Sequence, residues 1–186
     1  MNKKIIIFAL LALFLGSQTF SQIGWTTINN AVSIDNSKSH KLYFVDFYTT
    51  WCGWCKKMDS DTFKDPTVAK IMNNYFIPIK FDAEGTTSFS WNGTPYTGKG
   101  KVNGRAQTHT FANAILGQKM GFPSFAIFDA KQNLITVIPG YVKADEFAKI
   151  LWYFASNDYT KYSWQQYDKI FISDIKPAME KKLATK

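Results

Sequence analysis

Cysteine is scarce in this chain of 186 residues, which holds only two, Cys52 and Cys55. Histidine is equally scarce, and His40 and His109 both lie away from the cysteines in the chain. A structural zinc site uses four cysteine or histidine ligands, so this set does not favour one. Covalent haem needs a histidine directly after the second cysteine, where Lys56 stands instead. We therefore expect no metal and no other cofactor.

Arginine is also rare, since Arg105 is the only one among 22 basic residues. These residues outnumber 14 acidic ones and give a formal net charge of +8. The lysines are scattered along the chain, and no cluster of them forms a phosphate-binding stripe. A basic balance of this kind bears on solubility and non-specific association. We therefore expect no DNA or RNA partner.

The sequence has no apolar run of the roughly 20 residues that a membrane-spanning helix needs. The longest run, residues 5–15, follows two lysines and precedes Thr19 and Ser21. This order is typical of a secretory signal peptide, cleaved here between Ser21 and Gln22. An uncleaved anchor is the alternative. We predict an exported protein, periplasmic or secreted, with residues 1–21 as the signal.

The remaining pattern predicts an α/β domain over residues 22–156. Residues 42–48 and 77–82 are apolar and β-branched, with helical segments between them, and this βαβ order implies a right-handed crossover. Residues 125–128 and 134–138 flank a turn and predict an antiparallel hairpin. Together they predict a central mixed β-sheet flanked by helices.

Residues 85–107 depart from that pattern because they are rich in Gly, Thr, Ser and Asn. Asn92-Gly93 and Asn103-Gly104 are turn signals within this segment. We predict an inserted loop or irregular hairpin here.

Two aromatic residues of the insertion, Trp91 and Tyr96, are candidates for contact with a partner. The alternative is a plain surface loop, since loops tolerate insertions well. A helix is predicted after the insertion, capped by Thr108 or Thr110. Residues 157–186 predict a C-terminal helical extension.

The cysteine pair directly follows a predicted strand, in "TTWCGWCKK", and so lies at a helix N-terminus. Cysteines three residues apart on a helix can bridge, and the helix end stabilises a thiolate on Cys52. A disulfide that closes so short a loop removes little entropy from the unfolded chain, so it would stabilise the fold only slightly. This favours a redox-active pair over a structural disulfide. We expect Cys52 to be the exposed nucleophile and Cys55 the shielded resolving thiol. Binding of Cu(I) is a weaker alternative.

Asp46 and Pro123 add two further candidates. A carboxylate inside the apolar run "LYFVDFY" costs free energy unless it has a partner or a role. Burial would raise the pKa of Asp46 and suit it to accept a proton from Cys55. The alternative is a carboxylate that is solvated or paired with a lysine such as Lys80. Pro123 in "GFPSF", if its peptide bond is cis, would turn the backbone and free main-chain groups for a peptide.

These motifs resemble the thioredoxin family. "VDFYTTWCGWCK" is similar to that family's active-site strand and motif, and "GFPS" resembles its cis-proline loop. The segment "WCGWCKKMDSDTFKDPTVAKIMNNYFIPIKFD" looks most like the C-terminal periplasmic domain of transmembrane thiol:disulfide interchange reductases and their secreted single-domain relatives. The resemblance covers about residues 24–155 and implies a thioredoxin fold.

The resemblance also implies roles for named residues. Cys52, Cys55 and Asp46 match the nucleophile, the resolving thiol and the buried acid. Substrate contacts would come from a second group: Trp51, Gly53, Trp54, Phe122 and Pro123. The implied partners are thiols and disulfides of exported proteins and a membrane electron donor, and we expect a monomer.

The direction of electron flow stays open at this stage. Trp54 stands where thioredoxin has proline, and the dipeptide between the cysteines tunes their redox balance. A reductase is the favoured interpretation. The alternatives are an oxidase or isomerase of the same fold, and a non-enzymatic binding module.

Overall fold

The computed structural model describes residues 22–34, 36, 38 and 40–185. The predicted signal peptide lies outside these residues. Within them, eight strands and seven α-helices follow one another along the chain. The strands are β1 (Leu42–Tyr48), β2 (Phe76–Asp82), β3 (Phe89–Trp91), β4 (Thr94–Tyr96), β5 (Lys101–Val102), β6 (Arg105–Ala106), β7 (Ser124–Phe128) and β8 (Leu134–Pro139). The helices are α1 (Ile28–Val32), α2 (Gly53–Ser60), α3 (Pro66–Tyr75), α4 (Thr110–Leu116), α5 (Ala144–Ala155), α6 (Trp164–Ile170) and α7 (Lys176–Ala184).

The central sheet has four strands in the order β2-β1-β7-β8. Strand β1 pairs in parallel with β2 and antiparallel with β7, which in turn pairs antiparallel with β8. The prediction of a mixed sheet is therefore confirmed. Because β1 and β2 are parallel, their carboxyl ends lie at the same end of the sheet.

Each face of the sheet carries its own hydrophobic core, because successive side chains of a strand point to opposite faces. Phe44 of β1 belongs to one core, whereas Tyr43, Val45 and Phe47 belong to the other. All four side chains are almost completely buried. A strand covered on both sides explains the nearly continuous apolar run in its sequence.

Helices α3 and α5 cover the Phe44 side of the sheet. Helix α3 begins as its sequence suggests, with Pro66 in the first turn and the Asp65 carboxylate accepting hydrogen bonds from the following backbone amides. The C-terminal extension packs on the same side, as α6, a π-helical turn at Phe171–Ile175 and α7. Its buried side chains belong to the core that contains Phe44: Tyr167, Phe171, Met179 and Leu183.

The insertion forms two small antiparallel hairpins, β3–β4 and β5–β6. Both turn at an Asn-Gly pair with positive φ, at Asn92-Gly93 and Asn103-Gly104. Such pairs favour the turns that match the twist of a hairpin, so this part of the prediction is confirmed.

Trp91 of the first hairpin is a core residue. It is 3% exposed, and its ring contacts those of Phe111 and Phe128 at 5.7 and 5.1 Å. Its indole N–H donates to the carbonyl of Gln132. The expectation that Trp91 contacts a partner is therefore wrong, because its ring fills the space between the insertion, α4 and the sheet. Tyr96 also packs on Phe111, at 5.0 Å.

Helix α4 is capped by His109 rather than by Thr108 or Thr110. The Nδ1 atom of His109 accepts a hydrogen bond from the Phe111 amide, and Nε2 lies 2.6 Å from the carbonyl oxygen of Thr87. The imidazole thereby ties the insertion to the start of the helix. None of the helices in the described ranges combines the length and the apolar character that crossing a membrane requires.

Candidate active site

The two cysteines form a disulfide at the start of α2, just beyond the end of β1. The S–S distance is 2.01 Å and the Cα atoms of Cys52 and Cys55 are 5.3 Å apart. Cys52 is the N-cap residue of α2, and its Sγ accepts a hydrogen bond from the Cys55 amide at 3.0 Å. The strand-then-helix setting predicted for this pair is thus what places the first sulfur among the free amides of a helix end.

Neither cysteine is exposed in this oxidised form. Both residues retain 4% of their surface. The expectation of an exposed Cys52 beside a shielded Cys55 is wrong for the disulfide. The Cys52 side chain turns back over the first helical turn, and the bond to Cys55 keeps both sulfurs there.

Asp46 lies inside the protein on β1 and is 1% exposed. Its Oδ2 lies 2.6 Å from the Lys80 ammonium, whereas its Oδ1 has no hydrogen-bond partner among the described residues. Burial raises the pKa of Asp46 from 3.8 to about 6, and the attraction of Lys80 offsets only part of that rise. The carboxylate is therefore both buried and paired with Lys80, and its role as proton acceptor for Cys55 stays a prediction.

Lys80 is held by two carboxylates and a group of aromatic rings. It contacts Asp46 in the neighbouring strand and Asp59 of α2. Burial alone would lower the pKa of its ammonium, but the two carboxylates outweigh burial and raise it. Its Nζ also lies about 5 Å above three rings, those of Trp25, Tyr48 and Phe63.

Lys80 links Asp46 to α2, the helix that begins at the cysteine pair. Asp59 is four residues after Cys55 and so lies on the same face of α2. Because Lys80 pairs with both Asp59 and Asp46, it joins that face of the helix to the buried carboxylate.

Trp51 and Phe122 form one side of the rim around the disulfide. Trp51 is 64% exposed, and its ring meets that of Phe122 at 6.1 Å. Its indole N–H donates to Glu84 Oε2 at 3.0 Å. Glu84 follows β2, so the insertion begins directly beside the active-site rim.

Trp54 and Tyr141 form the other side of the rim. Trp54 is 59% exposed and packs on Tyr141 with ring centroids 5.5 Å apart. Tyr141 donates to Asp61, which also pairs with Lys57 at 2.6 Å. The glycine between the cysteines, Gly53, is exposed and faces open space.

The Pro123 loop runs beside the end of β1. The peptide bond between Phe122 and Pro123 is cis. The last pair of the β1–β7 ladder joins Phe47 to Ser124. Pro123, directly before Ser124, therefore lies at the end of the sheet where β1 leads into the cysteines. The Pro123 carbonyl accepts a hydrogen bond from the Gly140 amide at 2.8 Å, so this one group is not free for a peptide, and contact of the loop with a peptide stays a prediction.

The sequence profile of the thioredoxin-like domain matches residues 30–155. The chain belongs to the thioredoxin-like family. The thioredoxin fold expected from the motifs is therefore confirmed. Its bridged Cys52–Cys55 pair is the kind of dithiol site on which thiol–disulfide exchange depends.

Individual relatives agree with this assignment. The thiol:disulfide interchange protein DsbD of Haemophilus influenzae strain PittEE is 25% identical over 140 residues, which are 73% of this chain and 21% of that longer protein. A protein disulfide-isomerase of Medicago sativa is 31% identical over 93 residues, 45% of this chain and 18% of the relative. The chain thus spans about a fifth of the length of these relatives. The expected similarity to thiol:disulfide interchange proteins is confirmed.

Solved structures support the fold. A thioredoxin-fold protein from Helicobacter pylori superposes with a TM-score of 0.54 at 15% identity, covering 79% of this chain and 86% of that one. A thioredoxin from Thermus thermophilus gives a TM-score of 0.50 at 16% identity, over 72% of this chain and 87% of that one.

The structure brings all eight candidate residues to one end of the sheet and adds others that the sequence did not single out. Tyr141 enters the rim because β8 ends beside Pro123. Glu84 and Asp59 enter through single hydrogen bonds to Trp51 and Lys80. Side-chain pairs between distant segments leave no spacing signal in the sequence.

Proposed function

We propose that the chain is an exported enzyme that reduces disulfides of other exported proteins through Cys52 and Cys55. The observation that carries this proposal is the disulfide at the start of α2, which Lys80 links to a buried carboxylate with an oxygen that has no hydrogen-bond partner among the described residues. The amides at the helix end favour a thiolate on Cys52, and Asp46 is available as a base for Cys55. Similarity to DsbD, a thiol:disulfide interchange protein, supports the same chemistry.

Reduction of a substrate starts from the dithiol form. The Cys52 thiolate attacks one sulfur of the substrate disulfide, whose S–S bond breaks and releases the first substrate thiolate. Cys55 then transfers its proton to the Asp46 carboxylate and attacks Cys52 in the mixed disulfide. The Cys52–Cys55 bond forms again and the second substrate thiolate leaves.

Two electrons pass from the cysteine pair to the substrate in each turnover. A dithiol donor must therefore reduce the pair again, and in an exported setting we propose a membrane protein for that step. The exposed rings of Trp51 and Trp54 offer an apolar surface on either side of the disulfide for the substrate chain, with Phe122 and Pro123 beside it.

An insulin-reduction assay with dithiothreitol tests the activity. Wild type should accelerate the reaction and Cys52→Ser should not, whereas Cys55→Ser should accumulate a mixed disulfide that is visible on a non-reducing gel. Equal rates for wild type and Cys52→Ser would overturn the proposal.

The reduction potential of the Cys52–Cys55 pair tests the direction. Equilibration with glutathione should give a value near about −270 mV for a reductase, whereas a value near about −120 mV would assign an oxidase. Export is tested separately, by the N-terminal sequence of the mature protein, which should begin at Gln22.

A further inference from the structure

We propose that the β5–β6 hairpin is a docking arm that selects disulfide-containing protein substrates with an acidic segment near the disulfide. This inference rests on the proposed function, because it concerns which substrates reach the same cysteine pair. The base of the hairpin, the charges on it and the absence of acidic residues from the segment that contains it carry the argument.

The hairpin is anchored at the active-site rim. Gly98, just before it, lies so close to Gly85 that a Cβ on Gly98 would be 1.8 Å from the Gly85 carbonyl oxygen. Gly85 in turn follows Glu84, whose carboxylate holds Trp51. A hydrogen bond from the Gln107 amide to the Gly100 carbonyl closes the base of the hairpin. A short chain of contacts thus connects the hairpin to the tryptophan beside Cys52.

Three cations lie on the hairpin or directly before its base: Lys99, Lys101 and Arg105, the single arginine of the sequence. All three are exposed. Within the described part of the chain, none of them takes part in an ion pair. Their charge is therefore not used to hold the fold together and is available to a partner.

The segment that contains the hairpin adds no negative charge of its own, and the nearest carboxylates in sequence are Asp82 and Glu84 before it and Asp129 after it. Residues 85–128 contain no Asp or Glu, although they form both hairpins, α4 and the Phe122–Pro123 loop. One flank of the active site is thus built from a long segment without acidic residues. A field of one sign beside a reactive group raises the local concentration of oppositely charged ligands.

The shape of the hairpin favours a protein segment as the ligand. Val102, beside the turn, is 46% exposed and offers an apolar contact between the cations. The two strands are only two residues long, so the arm presents a small contact surface. A small, charged and exposed contact suits transient capture, in which charge affects mainly the rate of encounter. This matches the needs of an enzyme that must release each product.

Peptide disulfides of matched sequence test the inference. One peptide carries three acidic residues next to its disulfide, and the other carries three serines. For wild type at low ionic strength, kcat/KM for the acidic peptide should exceed that for the serine peptide by about tenfold. The ratio should fall towards one in about 1 M salt, where the screening length is about 3 Å.

The variant K99E/K101E/R105E should lose the preference and leave kcat/KM for the serine peptide unchanged. The matched control is K131E/K169E/K181E, which changes the net charge equally at exposed sites on the β7–β8 turn and the C-terminal helices. The control should keep most of the preference. Reduction of the serine peptide by wild type separates this test from the test of the proposed function.

Three results would overturn the inference. The first is that wild type shows no preference for the acidic peptide. The second is that both triple variants lose the preference equally. The third is that the hairpin variant keeps the preference but no longer binds vesicles of anionic phospholipid. The last result would assign the arm to a membrane surface.

Discussion

Asp46 and Lys80 lie opposite each other on the parallel strands β1 and β2, with 2.6 Å between Oδ2 and Nζ. Lys80 also pairs with Asp59 of α2, so one ammonium binds two carboxylates. The carboxylate inside the protein retains an oxygen without a hydrogen-bond partner among the described residues. The pair therefore leaves Asp46 ionised at neutral pH and still able to accept a proton.

Replacing Asp46 by Asn should stabilise the oxidised protein at alkaline pH. The folded state raises the pKa of Asp46 from 3.8 to about 6, so it binds more protons than the unfolded chain between these values. Stability from this group is thus fully present below about pH 4 and is lost as the pH rises to about 6. We expect Asp46→Asn to gain about 2 to 3 kcal/mol at pH 8 and little at pH 4, measured by urea unfolding. A less stable variant at pH 8 would contradict this account.

Replacing Lys80 by Met should raise the pKa of Asp46 further. The substitution removes the charge that favours the carboxylate but keeps an apolar stem against Trp25 and Phe63. Titration of the Asp46 carboxyl carbon by NMR measures the shift directly, and the pH midpoint of insulin reduction should move upwards with it. Lys57→Met, which removes a surface ion pair, is the control and should leave both values in place.

Two tryptophans should respond in opposite ways to replacement by Ala. Trp91→Ala removes a buried ring and should lower the free energy of unfolding by about 3 to 5 kcal/mol. Trp54→Ala removes an exposed ring and should change it by less than about 0.5 kcal/mol, while raising KM for insulin. Urea unfolding and steady-state kinetics on both variants make the comparison. A Trp91→Ala protein as stable as wild type would show that the insertion does not contribute to the core.

Gly98→Ala should destabilise the insertion and loosen the active-site rim. A methyl group at this position would collide with the backbone of Gly85, which a side-chain rotation cannot relieve. Gly121 has open space around its Cβ position and no positive φ, so Gly121→Ala is the matched control. We expect faster amide hydrogen exchange over residues 85–107 in the first variant only. Identical exchange in both would show that the close approach is not needed.

Much of the fold could be predicted because it depends on local signals. The apolar run of β1, the Asp65-Pro66 start of α3 and the Asn-Gly turns all act over a few residues, and each is present in the structure. The spacing of Cys52 and Cys55 after a strand likewise indicated a bridged pair at a helix end.

The parts that could not be predicted depend on contacts between distant segments. Tyr141 joins the rim only because the end of β8 pairs beside Pro123, and the amide of Gly140 bonds to that loop. His109 caps α4 because the insertion presents a carbonyl to its second nitrogen. Trp91 sits in a segment without apolar periodicity, so its burial follows from the packing of a hairpin on α4.

The sheet and the C-terminal helices share one core, so residues 22–156 cannot be separated from the C-terminal extension without exposing apolar side chains. Phe147 and Leu151 of α5 belong to the same cluster as Tyr167 and Met179. A graft that transferred only residues 22–156 to another protein would carry an uncovered apolar face and promote self-association. If only the short segment from β1 through α2 were exchanged with that of another protein, the C-terminal helices would still cover this apolar face. To change the redox properties of this protein, it is therefore better to replace the segment from β1 through α2 than to fuse residues 22–156 to another protein.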